Sequence, residues 1–161
     1  MVEPKGRNDG HKADYTKITD YIYIGSNMCK GGICMIHGEE FRKLGICTEI
    51  NLTAEEKEYP PDDIDAYIWI PVLDGFPPTT DQLDTGTAII DQNIKNGNTV
   101  YVHCKNGHGR SPTMVAAYLM RYRGMDLEEA ESFLKKKRPE VHIENSQKEA
   151  LIKYSKMYAK N

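Results

Sequence analysis

The fold is decided by residues 99–111, which read Thr99-Val100-Tyr101-Val102-His103-Cys104-Lys105-Asn106-Gly107-His108-Gly109-Arg110-Ser111. The first five residues are mostly β-branched or aromatic, which favours a short buried strand. From Ser111 onward, apolar residues recur at helical spacing until Gly124, so a helix is predicted over 111–123. A strand that passes through a glycine-containing loop into a helix is a common arrangement of an α/β anion site.

The loop itself has the residue types that such a site requires. Gly107 and Gly109 permit positive φ and a close approach of the backbone to a ligand, and successive backbone N–H groups can converge on an oxyanion. Arg110, where the helix begins, can grip two oxygens with its planar guanidinium. Cys104 lies in this positive field, which lowers a thiol pKa and favours the thiolate. The loop therefore predicts a phosphate site with a nucleophile in it.

The remainder of the chain alternates predicted strands and helices and then becomes helical. Strands are expected at 18–24 (a strand or short hairpin), 46–52 and 66–72, and helices at 39–44, 80–95 (capped by Thr80 or Asp81), 127–137 and 145–158. This order predicts an α/β fold, with a central, mostly parallel sheet of about four to five strands flanked by helices on both faces.

Composition excludes several classes of protein. A chain of 161 residues fits one domain, and residues 1–14 are predicted to be a flexible N-terminal tail before a single domain at 15–161. The net charge of −3 argues against general nucleic-acid binding, and no apolar run approaches the roughly 20 residues of a membrane span. Four cysteines are too few for a disulfide framework. We therefore expect a reducing, cytoplasmic location and a monomer.

The motif His103-Cys104-x5-Arg110-Ser111 resembles the active-site signature of the cysteine-dependent protein tyrosine phosphatase superfamily. Arg110-Ser111-Pro112-Thr113 and the helix after it look like the dual-specificity phosphatase branch. The stretches 18–26 and 44–53 also resemble that branch, and the likeness covers roughly residues 16–158. It implies a dual-specificity phosphatase-like fold and a single phosphatase catalytic domain.

The resemblance also implies roles for individual residues. Cys104 would attack phosphorus and Arg110 would hold phosphate oxygens, together with backbone amides of the substrate-binding residues Lys105, Asn106, Gly107, His108 and Gly109. Ser111 would hydrogen-bond the Cys104 sulfur, and His103 would support the loop through hydrogen bonds. No metal or other cofactor is expected, because the loop and Arg110 supply the positive charge.

The family needs a general acid on a loop roughly 30 residues before the cysteine, since the leaving oxygen must be protonated. Asp74 stands 30 residues before Cys104, at the end of a predicted strand. Asp81 and Asp84 are rivals, but they fall at a helix start, where capping explains an aspartate. Asp74 is therefore the predicted acid.

Some side chains have alternative interpretations. Lys105 is read as a solvated lysine, although related lipid phosphatases carry a lysine there. Asn145 and Gln147 could orient water, or Asn145 could cap the last helix. For Cys29, Cys34, His37 and Cys47, packing is favoured over a zinc site. The basic residues 135–138 either complement the dipole of the helix that they end or form a docking patch for an acidic partner. Whether Cys47 is close enough to Cys104 to form a disulfide stays open.

The predicted function is a protein phosphatase that hydrolyses phosphotyrosine monoesters in phosphorylated protein substrates, and phosphoserine and phosphothreonine if its pocket is shallow. One alternative is a phosphatase of phosphoinositides, other lipids or small molecules, with the same mechanism. A second alternative is a non-catalytic phosphate-binding module.

Overall fold

The computed structural model describes residues 14–27, 29–30, 33–34, 39–58, 60 and 64–159. Its strands are β1 (Tyr15–Thr19), β2 (Ile22–Gly25), β3 (Cys29–Lys30), β4 (Ile33–Cys34), β5 (Ile46–Thr53), β6 (Ala66–Val72) and β7 (Thr99–His103). Its helices are α1 (Glu39–Lys43), α2 (Thr80–Lys95), α3 (Arg110–Arg123), α4 (Leu127–Lys137) and α5 (Asn145–Ala159). Within these described ranges, no helix has the length and apolar character needed to cross a bilayer.

The strands form a five-stranded sheet in the order β1-β2-β7-β5-β6, and β3 pairs with β4 as a separate hairpin. Strands β2, β7, β5 and β6 run parallel, whereas β1 is an antiparallel edge strand. The predicted mixed fold with a mostly parallel sheet is thus confirmed. The predicted strand at 18–24 is the hairpin β1–β2, whose turn lies at Asp20 and Tyr21.

Strand β7 lies at the centre of the sheet and all five of its residues are buried. Val100 and Val102 join the large apolar cluster that includes α3, whereas Tyr101 joins a smaller cluster with Phe41 of α1. Successive side chains of a strand point to opposite faces, so helices cover both faces of this strand. The β-branched and aromatic residues that predicted β7 are those that pack it.

Several helix boundaries come from local capping chemistry. Helix α2 is capped by Thr79 in a reciprocal bond with Gln82, so the predicted cap at Thr80 or Asp81 was wrong by one or two residues. A Thr followed three residues later by Gln is a capping-box pattern. Asp126 caps α4 in the same way, with Glu129, and Gly124 ends α3 with φ of 71°.

The cysteines other than Cys104 lie away from the loop or outside the described side chains. The backbones of Cys29 and Cys34 pair across β3 and β4, while their side chains and all of His37 lie outside the described residues. Cys47 is near the start of β5, where its thiol lies 3.8 Å from the carbonyl oxygen of Thr99. Cys104 follows the opposite end of β7, about 16 Å farther along a strand of this length, so Cys47 is not positioned to bond with it.

Candidate active site

The nucleophile loop, residues 104–110, follows β7 and leads into α3 at the carboxyl edge of the parallel strands, where open α/β sheets bind ligands. Gly107 has φ of 72°, and a Cβ there would lie 2.7 Å from the carbonyl carbon of Gly25. Both its conformation and its surroundings therefore require glycine. The predicted strand, loop and helix are present in that order, with the helix starting at Arg110.

The carbonyl groups of residues 105–109 all accept hydrogen bonds from residues outside the loop. The backbone N–H of Asn27 donates to Lys105 O at 3.1 Å, and the guanidinium of Arg138 donates to Asn106 O and Gly107 O, both at 2.9 Å. The backbone N–H of His142 donates to His108 O at 2.7 Å. Thr113 donates to Gly109 O. A peptide N–H points away from the carbonyl of its own unit. The loop amides are therefore turned away from these partners, which leaves them available to an anion.

Cys104 is buried at the base of this loop. Its Sγ lies 3.2 Å from Ser111 Oγ and accepts the N–H of Gly107 at 3.3 Å. Burial opposes the charged form, but the charge of Arg110 and the hydrogen bonds from Ser111 and Gly107 outweigh it and lower the pKa of the thiol. A thiol of this kind is suited to act as a nucleophile.

Arg110 is fixed by two partners that the sequence did not indicate. Its Nη1 donates to Val72 O at 2.7 Å, and Nη1 and Nη2 reach the two carboxylate oxygens of Glu55 at 3.0 and 2.7 Å. Although burial alone would raise it, Arg110 lowers the pKa of Glu55, which keeps that carboxylate charged. The Nε of Arg110 is buried and has no hydrogen-bond partner among the described residues. A buried donor of this kind needs an acceptor.

Asp74 lies in the acid turn, residues 73–76, just after β6. Its Oδ1 is 3.4 Å from Arg110 Nη2 and its side chain is 76% exposed. By contrast, Asp84 pairs with Arg121 and Tyr154, and Asp81 lies in the first turn of α2. Of the three aspartates considered, Asp74 is the one with an ion pair to Arg110.

His103 is buried between two carboxylates from β5 and the segment after it. Its Nε2 lies 2.7 Å from Glu49 Oε1 and 3.3 Å from Glu58 Oε1. Burial alone would lower the pKa of His103, but Glu58 and Glu49 raise it to about 10. Burial also raises the pKa of Glu58 to about 7. The ring is therefore a charged anchor beneath Cys104 rather than a group that exchanges protons near neutral pH.

These three side chains also offer potential metal-ligand atoms, which lie within 4.8 Å of one another. The imidazolium compensates the charge of Glu49, and the raised pKa of Glu58 reduces the negative charge that remains, which explains the cluster without an ion. Glu49 and Glu58 lie 54 and 45 residues before His103 in the chain. No local spacing indicated them.

The structure separates the two residues predicted to stand behind the loop. Gln147 is buried, and its Nε2 donates to Phe76 O in the acid turn at 3.3 Å. Its amide also lies against Gly109, where a Cβ atom would be 3.5 Å from it. Asn145 is exposed in the first turn of α5. Asn145 is the first residue of α5 and therefore not its cap, while Gln147 Oε1 accepts the N–H of Glu144, the residue before the helix, at 2.9 Å.

The basic run 135–138 is not one surface patch. Lys135 pairs with Glu131 on the helix surface, while the side chain of Arg138 is 0% exposed and lies behind the nucleophile loop. The rim of the loop is partly exposed at Lys105 and His108. Arg110 and, to a smaller extent, the charge of Lys105 lower the pKa of Glu55.

Residues 22–157 match the family model described as the catalytic domain of dual specificity phosphatases. The chain belongs to this family. It is 32% identical over 143 residues to dual specificity protein phosphatase 18 of Bos taurus, covering 86% of this chain and 71% of that one. It is 31% identical over 146 residues to the phosphatidylglycerophosphate phosphatase PTPMT1 of Arabidopsis thaliana, covering 87% of this chain.

The chain spans 42% of the length of that plant relative. Among solved structures, a crystal structure of PTPMT1 superposes with a TM-score of 0.78 at 26% identity, covering 92% of this chain and all (100%) of that one. The family is that of cysteine-dependent phosphatases, as the resemblance of the loop implied. Both protein and lipid phosphatases are among the relatives.

Proposed function

We propose that this protein hydrolyses phosphate monoesters of the phosphotyrosine type through a cysteinyl-phosphate intermediate. The observation that carries the proposal is the buried Nε of Arg110, which lacks an acceptor among the described residues beside a thiol of lowered pKa. A phosphoryl oxygen bound there would complete the hydrogen bonds of the guanidinium and bring phosphorus to the sulfur. The exposed acid turn leaves room for phosphoserine and phosphothreonine.

In the first step, the Cys104 thiolate attacks phosphorus as the bond to the leaving oxygen breaks. The protonated carboxyl of Asp74 gives its proton to that oxygen, which leaves as a neutral alcohol or phenol. Arg110 and the loop amides hold the equatorial oxygens, where negative charge is concentrated in the transition state. The product of this step is a phosphorus–sulfur bond on Cys104.

In the second step, water attacks phosphorus and the phosphorus–sulfur bond breaks. Asp74, now a carboxylate, takes a proton from the water, and inorganic phosphate leaves. The hydroxyl of Ser111, 3.2 Å from Sγ, stabilises the thiolate as it departs. Gln147 bridges the acid turn and the loop, and we assign it the orientation of this water.

A second candidate substrate is the phosphate monoester of a lipid headgroup. Leu73 and Phe76, which flank Asp74, are 62% and 60% exposed, and large exposed apolar side chains next to a polar site are typical of an interaction surface. Lys105 adds positive charge at the rim. This pattern suits an amphiphilic anion, and the plant relative is named as a phosphatidylglycerophosphate phosphatase.

The test is phosphate release from a matched panel of substrates. The panel contains p-nitrophenyl phosphate, peptides with phosphotyrosine, phosphoserine or phosphothreonine, and short-chain phosphatidylglycerophosphate and phosphatidylinositol phosphates. We expect turnover that vanadate inhibits and that Cys104→Ser abolishes, with the highest kcat/KM on phosphotyrosine. A higher kcat/KM on the lipids would select the second candidate. Vanadate binding without any release would identify a non-catalytic module.

A further inference from the structure

Asp14 and Arg138 form an ion pair on the side of the nucleophile loop opposite Cys104, in which the guanidinium is buried and the carboxylate is partly exposed. Arg138 Nη2 and Nη1 lie 2.8 and 3.3 Å from the two carboxylate oxygens of Asp14, and Nη1 also donates to Thr16 Oγ1 at 2.8 Å. The side chain of Arg138 is 0% exposed. The remaining donors of the guanidinium point at the loop.

Those donors hold two consecutive carbonyls. Arg138 Nη2 bonds Asn106 O and its Nε bonds Gly107 O, each at 2.9 Å. The carbonyl of Asn106 and the N–H of Gly107 belong to one planar peptide unit and point in opposite directions. That N–H donates to Cys104 Sγ at 3.3 Å, so the bond from Arg138 and the bond to the sulfur hold the same peptide plane from its two sides.

Asp14 reaches the loop by a second route as well. Its N–H donates to Ser26 Oγ, and its carbonyl accepts the N–H of Ser26, both at 2.9 Å. The next residue, Asn27, donates its N–H to Lys105 O at 3.1 Å. Asp14 therefore supports three successive carbonyls of the loop, although it precedes residues 22–157, which match the family model.

We propose that Asp14 and Arg138 are positioning residues, which turn the amides of residues 106–108 toward Cys104 and the phosphate. The inference rests on the proposed function, since it names what that site depends on. Asp14 orients the guanidinium with a bidentate pair, whose fixed geometry lysine cannot reproduce. Asp14, the residue directly before β1, is thereby part of the support of the phosphate site.

The experiment compares Asp14→Asn, Arg138→Lys and Arg138→Met with two controls in the full chain. Asp20→Asn removes an exposed carboxylate from the β1–β2 turn (87% exposed side chain), and Lys136→Met removes an exposed charge from α4. Three quantities are measured for each protein: the pH at which iodoacetamide alkylation of Cys104 is half-maximal, the Kd of vanadate, and the melting temperature.

We expect the alkylation midpoint to move to higher pH in the variants of Asp14 and Arg138, because the thiolate loses the N–H of Gly107. The Kd of vanadate rises roughly threefold to tenfold in Asp14→Asn and roughly 10- to 100-fold in Arg138→Met, as for loss of hydrogen bonds to charged groups. Arg138→Lys lies between the wild-type protein and Arg138→Met, and both controls match the wild-type protein.

A purely structural role would lower the melting temperature and leave both site measurements unchanged. That result in Asp14→Asn would overturn the proposal, and so would equal effects in Asp20→Asn. If Arg138→Met does not fold, Asp14→Asn and Arg138→Lys decide the outcome. Alkylation does not require turnover. If the variants shift as expected but the wild-type protein releases no phosphate, the result would contradict the proposed function and support the positioning roles.

Discussion

The nucleophile loop and the acid turn hold the two halves of the proposed chemistry in opposite ways. Every carbonyl of residues 105–109 accepts a hydrogen bond from a neighbouring element. The acid turn has one internal bond, from Phe76 N to Leu73 O at 3.0 Å, and one tie to Gln147, among the bonds that the structure gives for its described residues. The nucleophile loop is hydrogen-bonded along its length and buries Cys104 and Arg110, whereas all four residues of the acid turn are exposed.

This contrast fits the roles that we propose for the two regions. Donors that stabilise transition-state charge are most effective when they need no reorganisation, which requires a loop held from behind. A general acid must fit leaving groups of different shape, and segments with few buried contacts open at low energetic cost. The hydrogen bonds thus hold the proposed anion site, while Asp74, the proposed acid, is left accessible to solvent.

The largest effect should come from Arg110→Lys in the nucleophile loop. This change keeps the positive charge and removes the planar guanidinium. Lysine cannot bond Glu55 and phosphate simultaneously in a planar array. We expect kcat/KM to fall about 10³-fold, as for loss of an oxyanion donor, with similar losses on all substrates. A loss below tenfold in steady-state assays would show that charge alone suffices.

Asp74→Asn probes the acid turn and should have the next largest effect. We expect a loss of about 10²-fold on alkyl phosphates, whose leaving oxygen needs a proton, and a much smaller loss on p-nitrophenyl phosphate. Asp81→Asn is the matched control and should behave like the wild-type protein. Equal losses on both substrates would exclude Asp74 as the general acid.

Ser111→Ala tests the second step beside the nucleophile loop. The thiolate loses a hydrogen bond when it departs, so breakdown of the phosphoenzyme should slow about tenfold. Rapid-quench kinetics should then show a burst of p-nitrophenol equal to the enzyme concentration. Absence of a burst together with a slower first step would place Ser111 in the attack alone.

The smallest effect is expected for the ion pair of His103 with Glu49, and it concerns the stability of the protein. The folded-state pKa of His103 is about 10, above its ordinary value of about 6.5, so the folded protein binds the proton more tightly than the unfolded chain. This contribution to stability is complete below pH 6.5 and is lost as pH rises through about 10. Urea unfolding should show the advantage of the wild-type protein over Glu49→Gln shrinking across that range. An advantage that is constant or grows with pH would contradict the assignment.

Local features of the fold could be predicted from the sequence because their causes are local. Three examples depend only on residues nearby in the sequence: the strand formed by the β-branched residues of β7, the cap of α4 by Asp126 and the end of α3 at Gly124. The nucleophile loop could be predicted equally well, since its glycines, Cys104 and Arg110 lie in one short stretch of the sequence. The cap of α2 was misplaced because Thr79, Thr80 and Asp81 are all competent caps, and only the reciprocal bond of Gln82 distinguishes them.

The contacts that hold the site from distant parts of the chain could not be predicted from the sequence. Asp14 and Arg138 lie 124 positions apart, and Arg110 and Glu55 lie 55 apart. These pairs exist because the sheet order places β1, β2 and β5 on either side of β7. Gln147 and Asn145 differ by two positions on one helix, and only the docking of α5 decides which of them is buried.

The bidentate pair of Glu55 with Arg110 has a consequence for the end of the catalytic cycle. A guanidinium already neutralised on one side attracts inorganic phosphate less strongly than an isolated one would. Glu55 also stays ionised, since its pKa is lowered. In the proposed cycle, a pocket with an unpaired arginine would release its product slowly, so the carboxylate that orients Arg110 would also speed the release of phosphate.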